Sequence, residues 1–378
     1  MRVLHVMKSD PVLYGMQRVL LNELVEQRAH GVDACYLSLH ETRMGSQADA
    51  MSEVARSRDV PVVKVPIAGR ISYSAIRAVA DAISGAGADI VHTHGYKGDV
   101  FGVLGARLAR VPVVGEVHGW LFPTLRSDPL IAFYEWLDAQ VLKRMDCAIA
   151  PSDHYRRLLL GMGFKAKRVK LVPNGVVADE LRARAQGHDL RAQLGIPEGS
   201  PVVGVLARLS HEKGVDLFVR AMAFVRRVHP NVRAVITGGG PREAELKALT
   251  SELGLGEHVI WAGFVPSSVD AMRAFDVVAL TSRIEALPQV LLEAMIMERP
   301  TVVTPVGGCP EIVVDGETGL VAGSLEPEMI AASISRLLSS PELAREMGKA
   351  GARRVEKEFS MGLWFDRTQA LYEETVRA

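Results

Sequence analysis

The chain has 378 residues, too many for one ordinary hydrophobic core, so two domains are expected. Apolar residues make up 48% and charged residues 23%, the balance of a soluble globular protein. Lys plus Arg and Asp plus Glu both count 44, which removes the basic excess that electrostatic binding to nucleic acid needs.

The opening apolar run stops at Met7, ahead of Lys8, Ser9 and Asp10, and is too short for a signal peptide. No apolar run approaches the length of a membrane span. Cys35, Cys147 and Cys309 have neither metal-ligand nor disulfide spacing, which suits a reducing compartment. A cytoplasmic protein is expected, attached at most to the inner face of a membrane.

In chain order, strands are predicted over residues 3–7, 34–39, 61–65, 90–92, 113–117 and 147–150. Amphipathic helices are predicted between them over 16–29, 71–83, 98–108 and 130–143. Short apolar strands alternating with helices indicate a parallel sheet covered on both faces. Turn signals at Pro173, Asn174 and Gly175, then at Gly195, Pro197 and Gly199, interrupt the pattern. Strands resume over 202–206, 234–237, 259–261, 277–280 and 301–303. Residues 341–378 read as helix, broken near Ser360, Met361 and Gly362.

The fold class is therefore α/β: two doubly wound, Rossmann-like domains facing across a cleft. Expected boundaries are 1–175 for the first domain and 176–358 for the second. A final helix over 359–378 should pack back on the first domain. The halves repeat in pattern, not in sequence.

Two clusters carry chemistry. In the first, a strand ends at Leu206 and a helix begins near Gly214. Arg208 and Lys213 lie on the connecting loop, where a guanidinium fork and a point charge can hold a diphosphate. In the second, a strand runs out near Thr281 and Pro288 falls where a first helical turn should start. The amides near Leu287, Pro288, Gln289 and Val290 then form an anion site made from backbone. Glu285 precedes that helix and Glu293 lies more than one turn inside it, so they suit opposite ends of an extended ligand. Each residue taken alone reads equally well as an ordinary surface charge.

In this order, the clusters resemble the retaining glycosyltransferases of the GT-B fold, family 4 (glycosyl transferases group 1). The resemblance rests on Ala207-Arg208, Lys213-Gly214 and the glutamates 285 and 293. It continues through Pro300-Thr301, Gly307-Gly308, Glu311-Ile312 and Gly316 to Leu320. It implies that Arg208 and Lys213 hold the diphosphate of a nucleotide-diphosphate sugar, a UDP or GDP sugar. Glu293 should take the ribose hydroxyls, and Glu285 the transferred sugar. Gly238 and Gly240 match the family's glycine-rich turn near the nucleotide, and Phe264 the segment lining the base.

In the first domain, His118 matches a histidine that reaches the donor sugar, and Gly15 the second of a glycine pair that meets the donor phosphate. Tyr14 stands where the first glycine is usual. A side chain there narrows the allowed backbone and puts the local phosphate contact and acceptor fit in question. Ala286 and Arg299 also replace common glycines.

The resemblance implies retention of configuration, no cofactor, no metal, and a glycan or lipid-linked acceptor in polysaccharide or glycolipid synthesis. His92 and His94 share a strand face, but no third ligand stands at metal spacing in the sequence. Residues 155–170 mix six cations with Leu158, Leu159, Leu160 and Phe164. They fit either a peripheral membrane contact or a solvated surface. Rival readings are a sugar-nucleotide epimerase, told apart by its products, and a nucleotide-sugar sensor without turnover.

Overall fold

The computed structural model describes residues 1–10, 13, 15–41, 49–68, 71–118, 136, 139–184, 189–265 and 267–377. The chain divides into two compact units, Met1–Gly175 together with Met361–Ala378, and Val176–Ser360.

The first unit is built on a parallel seven-stranded sheet. Its strands are β1 (Arg2–Lys8), β2 (Asp33–Glu41), β3 (Val62–Ile67), β4 (Ile90–His94), β5 (Val113–Glu116), β6 (Cys147–Ala150) and β7 (Val169–Leu171). The order is β3-β2-β1-β4-β5-β6-β7, so the winding reverses between β1 and β4.

The second unit holds a parallel six-stranded sheet. It comprises β8 (Val202–Leu206), β9 (Arg233–Thr237), β10 (Val259–Gly263), β11 (Val277–Leu280), β12 (Thr301–Val303) and β13 (Leu320–Val321). The order is β10-β9-β8-β11-β12-β13, with the reversal between β8 and β11.

The strand sequences explain this layering. Val203, Val205, Ala234, Ile236, Val277 and Ala279 enter one buried cluster. Their chain neighbours Val202, Val235 and Val278 enter another. Successive strand residues point to opposite faces, so a strand buried on both faces must be apolar throughout.

Helix ends follow local chemistry. Ser72 and Ser152 accept the amides of Ala75 and Tyr155, and Gly87 closes helix Tyr73–Ala86 in the left-handed conformation. The last two helices, Pro341–Glu358 and Met361–Arg377, fall either side of the predicted break. Sequence reading misses β7, β13 and helix Ala50–Ser57, which are too short to establish a period. Most of the predicted helix over 130–143 lies outside the described residues.

Candidate active site

Ligands of doubly wound sheets collect beyond the carboxyl ends of the strands, where the winding reverses. In the second unit that position is flanked by the loops after β8 and β11, and these carry both charged clusters. Lys213 ends the 3-10 turn His211–Lys213, and Gly214 follows with φ 59°. A Cβ on Gly214 would stand 2.0 Å from the carbonyl oxygen of Thr281. Thr281 Oγ1 in turn donates to the Gly214 carbonyl at 2.9 Å, so the two loops are stitched together.

Across this seam Lys213 Nζ lies 2.7 Å from Glu285 Oε1. Ser282 Oγ donates to the same oxygen at 2.6 Å. Glu285 is only 6% exposed, which makes this a partly desolvated pair. Its backbone is pinned from behind by Gly307, whose φ is 54° and whose added Cβ would lie 1.7 Å from the Glu285 carbonyl oxygen.

Arg208 pairs with Glu212 at 2.7 Å on its own loop and is 58% exposed. Burial pushes the Glu212 carboxyl up, but hydrogen bonds from Ser210 and Arg208 outweigh it and hold the group below its ordinary range. Arg283 ties the second loop to the first. Its amide donates to the Glu212 carbonyl at 2.8 Å, and its guanidinium grips Asp216 at 2.8 and 2.6 Å.

Pro288 is the N-cap of helix Gln289–Ile296, one residue earlier than the first-turn position expected. Its ψ of 115° is extended, and its carbonyl takes the Leu291 amide at 3.1 Å, the work of a cap residue. Among the described residues, no side chain caps this end. Among the described residues the amides of Ala286, Leu287, Gln289 and Val290 donate to no backbone carbonyl. Gln289 Nε2 is buried without a partner among the described residues. Glu293 is the fifth residue of the helix, and its Oε2 accepts from Ser268 Oγ at 2.7 Å.

The glycine turn after β9 closes on the Arg208 loop. Cβ atoms on Gly238 and Gly240 would meet Ala207 O at 2.0 Å and Leu209 O at 2.6 Å, the residues either side of Arg208. The Gly238 amide donates to Gly263 O at 2.7 Å, which brings Phe264, 67% exposed, beside the turn. Arg208, Lys213, Gly238, Gly240, Phe264, Glu285, Leu287, Pro288, Gln289, Val290 and Glu293 thus all belong to the strand-end side of one sheet or the helix that starts there. Sequence reasoning missed Ser282, Ser268 and Asp216. The serines touch the predicted Glu285 and Glu293, and Asp216 holds Arg283 of the second loop, contacts that the sequence does not display.

His118 and Gly15 belong to the first unit. Gly15 opens helix Gly15–Ala29, and a Cβ there would meet nothing within 4 Å among the described residues. Tyr14 and residues 119–128 lie outside the described residues.

The absence of a third ligand near His92 and His94 is corrected by the strand pairing. β1 sets His5 opposite His92, and ring nitrogens of His5, His92 and His94 lie within 4.8 Å of one another. A second group joins His94, Glu116 and His118. Linear spacing cannot reveal ligands that meet through strand register. The nitrogens of His5 and His94 stand 2.9 Å apart, a hydrogen bond between rings.

In the basic segment, Tyr155, Leu159 and Phe164 turn into the core. Arg156 and Arg157 pair with Asp153, and Lys170 pairs with Glu374. Among the described residues, no helix is long and apolar enough to cross a membrane.

Residues 188–354 match the family described as glycosyl transferases group 1, and residues 14–175 match the glycosyl transferase 4-like domain. The D-inositol 3-phosphate glycosyltransferase of Kineococcus radiotolerans is 31% identical over 320 residues, covering 76% of this chain and 72% of that protein. The chain belongs to the group 1 glycosyltransferases of family 4.

This group 1 glycosyltransferase is also 34% identical over 211 residues to the GDP-mannose-dependent alpha-(1-6)-phosphatidylinositol monomannoside mannosyltransferase of Mycolicibacterium smegmatis. That match covers 52% of this chain and 53% of that protein. The crystal structure of Anabaena HepE in complex with UDP-glucose superposes with a TM-score of 0.82, at 22% identity over 99% of this chain and 100% of that one. The fold is GT-B.

Proposed function

We propose that this glycosyltransferase moves a sugar, with retention, from a UDP or GDP sugar to a glycan or lipid-linked acceptor in polysaccharide or glycolipid synthesis. The observation that carries the reading is the Lys213–Glu285 pair, set beside an uncapped helix start where the winding of one sheet reverses. An ammonium and several undonated amides converge there on a site for an anion. The GDP-mannose dependence of the mannosyltransferase relative and the UDP-glucose complex of HepE support a nucleotide-sugar donor.

In this reading the diphosphate lies on Arg208, Lys213 and the amides from Ala286 to Val290. Glu293 receives the ribose, with Ser268 orienting its carboxylate. Both recorded bonds of the Glu285 side chain fall on Oε1, which leaves Oε2 to a sugar hydroxyl. The bond between the anomeric carbon and the β-phosphate oxygen breaks as the acceptor oxygen bonds the same carbon. The acceptor's proton passes to the departing phosphate. Charge on that phosphate grows in the transition state, and fixed cations and amides lower its energy there. These groups replace the role of a metal, so transfer should proceed in chelator. The family resemblance assigns the acceptor to the first unit and a sugar-contacting role to His118.

The test is release of free nucleotide from UDP and GDP sugars with and without candidate acceptors, with the product's anomeric configuration read by NMR. Acceptor-dependent release with retained configuration is expected. A changed sugar without transfer would replace the reading with an epimerase.

A further inference from the structure

The first unit buries an unusual polar layer. His5, His92, His94, Glu23, Glu116 and Gln27 are all exposed by 1% or less, and Tyr372 of the last helix is fully buried beside them. Several of these groups form a directional chain. Gln27 Oε1 lies 3.0 Å from His5 Nε2, His5 Nδ1 lies 2.9 Å from His94 Nε2, and His94 Nδ1 lies 3.0 Å from His118 Nε2.

The direction follows from the far end. Gln27 Nε2 donates to the Tyr372 hydroxyl at 3.3 Å, so Gln27 turns its oxygen, an acceptor only, toward His5. A neutral imidazole has one N–H and one lone pair. His5 must therefore donate through Nε2 and accept at Nδ1. His94 must then do the same, and so must His118. Burial keeps the rings neutral: it lowers His5 to about 4 and His94 well below its ordinary value. A second branch agrees. Tyr372, which accepts from Gln27, gives its own proton to His92 Nδ1 at 2.7 Å.

The chain ends at the histidine whose side chain is 12% exposed. Its Nδ1 lies 3.7 Å from Glu116 Oε1, too far for a hydrogen bond.

We propose that Gln27, His5 and His94 form a tautomer relay that holds His118 in its Nε2–H form, so that Nδ1 offers a lone pair to a sugar hydroxyl. The proposal rests on the reading of His118 given above. The three residues act by position, because an imidazole without them samples both tautomers and would present a donor where the sugar needs an acceptor.

The experiment is long-range 15N–1H NMR of the full chain labelled at histidine nitrogens, with His118→Gln assigning the His118 signals. The relay predicts one tautomer, proton on Nε2, and mixed tautomers in Gln27→Met. In that variant kcat should fall about ten-fold, the worth of one misdirected hydrogen bond, while donor affinity holds. A proton on Nδ1 of His118 in the unaltered chain, or two tautomers there, overturns the relay without any variant. So does zinc bound stoichiometrically with loss of the ring protons of His5 and His94. The spectra need no donor, so the relay can fail while sugar transfer stands, and the reverse.

Discussion

Lys213 and Glu285 are 72 positions apart in the chain and 2.7 Å apart in space. The loops that carry them leave adjacent strands at the one place where the winding of the second sheet reverses. An ammonium with three donors can keep this carboxylate and still bind a phosphate oxygen. The pair therefore positions each partner and leaves both usable.

Replacing Lys213 by Ala should remove the proposed phosphate contact and strand a carboxylate that is 6% exposed. kcat/KM for the sugar donor should fall by about 10²–10³-fold. Glu285→Gln should also lower it, and the double variant should lose less than the product of the two single losses. Steady-state kinetics of the four proteins checks this, and strictly multiplicative losses would show uncoupled residues.

Arg208 gives a different signature. Its pair with Glu212 is 58% exposed on the arginine side, and such surface pairs contribute little to stability. Arg208→Ala should leave the thermal midpoint unchanged but weaken donor binding. Arg208→Lys should restore only part of that binding, because a fork and a point charge differ in geometry. Thermal unfolding and donor titration on the same samples separate the two effects.

Gly307 holds the Glu285 backbone from behind. At φ 54° with 1.7 Å to the Glu285 carbonyl oxygen, Gly307→Ala should cost roughly 2–4 kcal/mol and most of the activity. Gly316 has φ 79° and open space around it, so Gly316→Ala should cost ~1 kcal/mol and leave kcat intact. Urea denaturation and initial rates test the contrast.

The buried layer of the first unit gives a pH prediction. Burial, then the charge of Glu116, raises the Glu23 carboxyl well above its ordinary value. Its neutral form stabilises the fold below the ordinary carboxylate range, and that contribution is lost as pH rises through the raised value. Burial lowers His5 to about 4 and also lowers His92 and His94, so their contribution is full above about pH 6.5 and falls away toward acid. Stability should therefore fall on both sides of a maximum. Glu23→Gln should relieve the alkaline limb, by up to about 1.4 kcal/mol per pH unit, and leave the acid limb in place. Urea midpoints from pH 4 to 9 read this directly, and parallel curves for the two proteins would contradict it.

The four strands Cys147–Ala150, Val202–Leu206, Val277–Leu280 and Thr301–Val303 were legible to the residue. Each is a short run of mostly apolar residues buried on both faces, a pattern that no turn or solvated helix supports. The loop and helix start of the proposed cradle were legible because Arg208, Lys213 and Pro288 lie at strand and helix boundaries, where residue type carries meaning. The histidine chain was not. Gln27 and Tyr372 meet across 345 positions, and His5 reaches His94 across 89. A single polar residue inside an apolar strand or helix gives no local sign of its partner. The serines that orient Glu285 and Glu293 were missed for the same reason, since Ser268 lies 25 positions from its carboxylate.

The cradle itself is tested most directly by comparing nucleoside diphosphate with monophosphate affinity. UDP, UMP, GDP and GMP would be titrated calorimetrically into the unaltered chain and into Lys213→Ala. The diphosphate of the preferred base should bind the unaltered chain at least ten-fold more tightly than its monophosphate, and Lys213→Ala should erase most of that difference, since one charge-assisted contact contributes about 1.5–3 kcal/mol. An unchanged ratio in the variant would mean that the loop after β8 does not hold the β-phosphate.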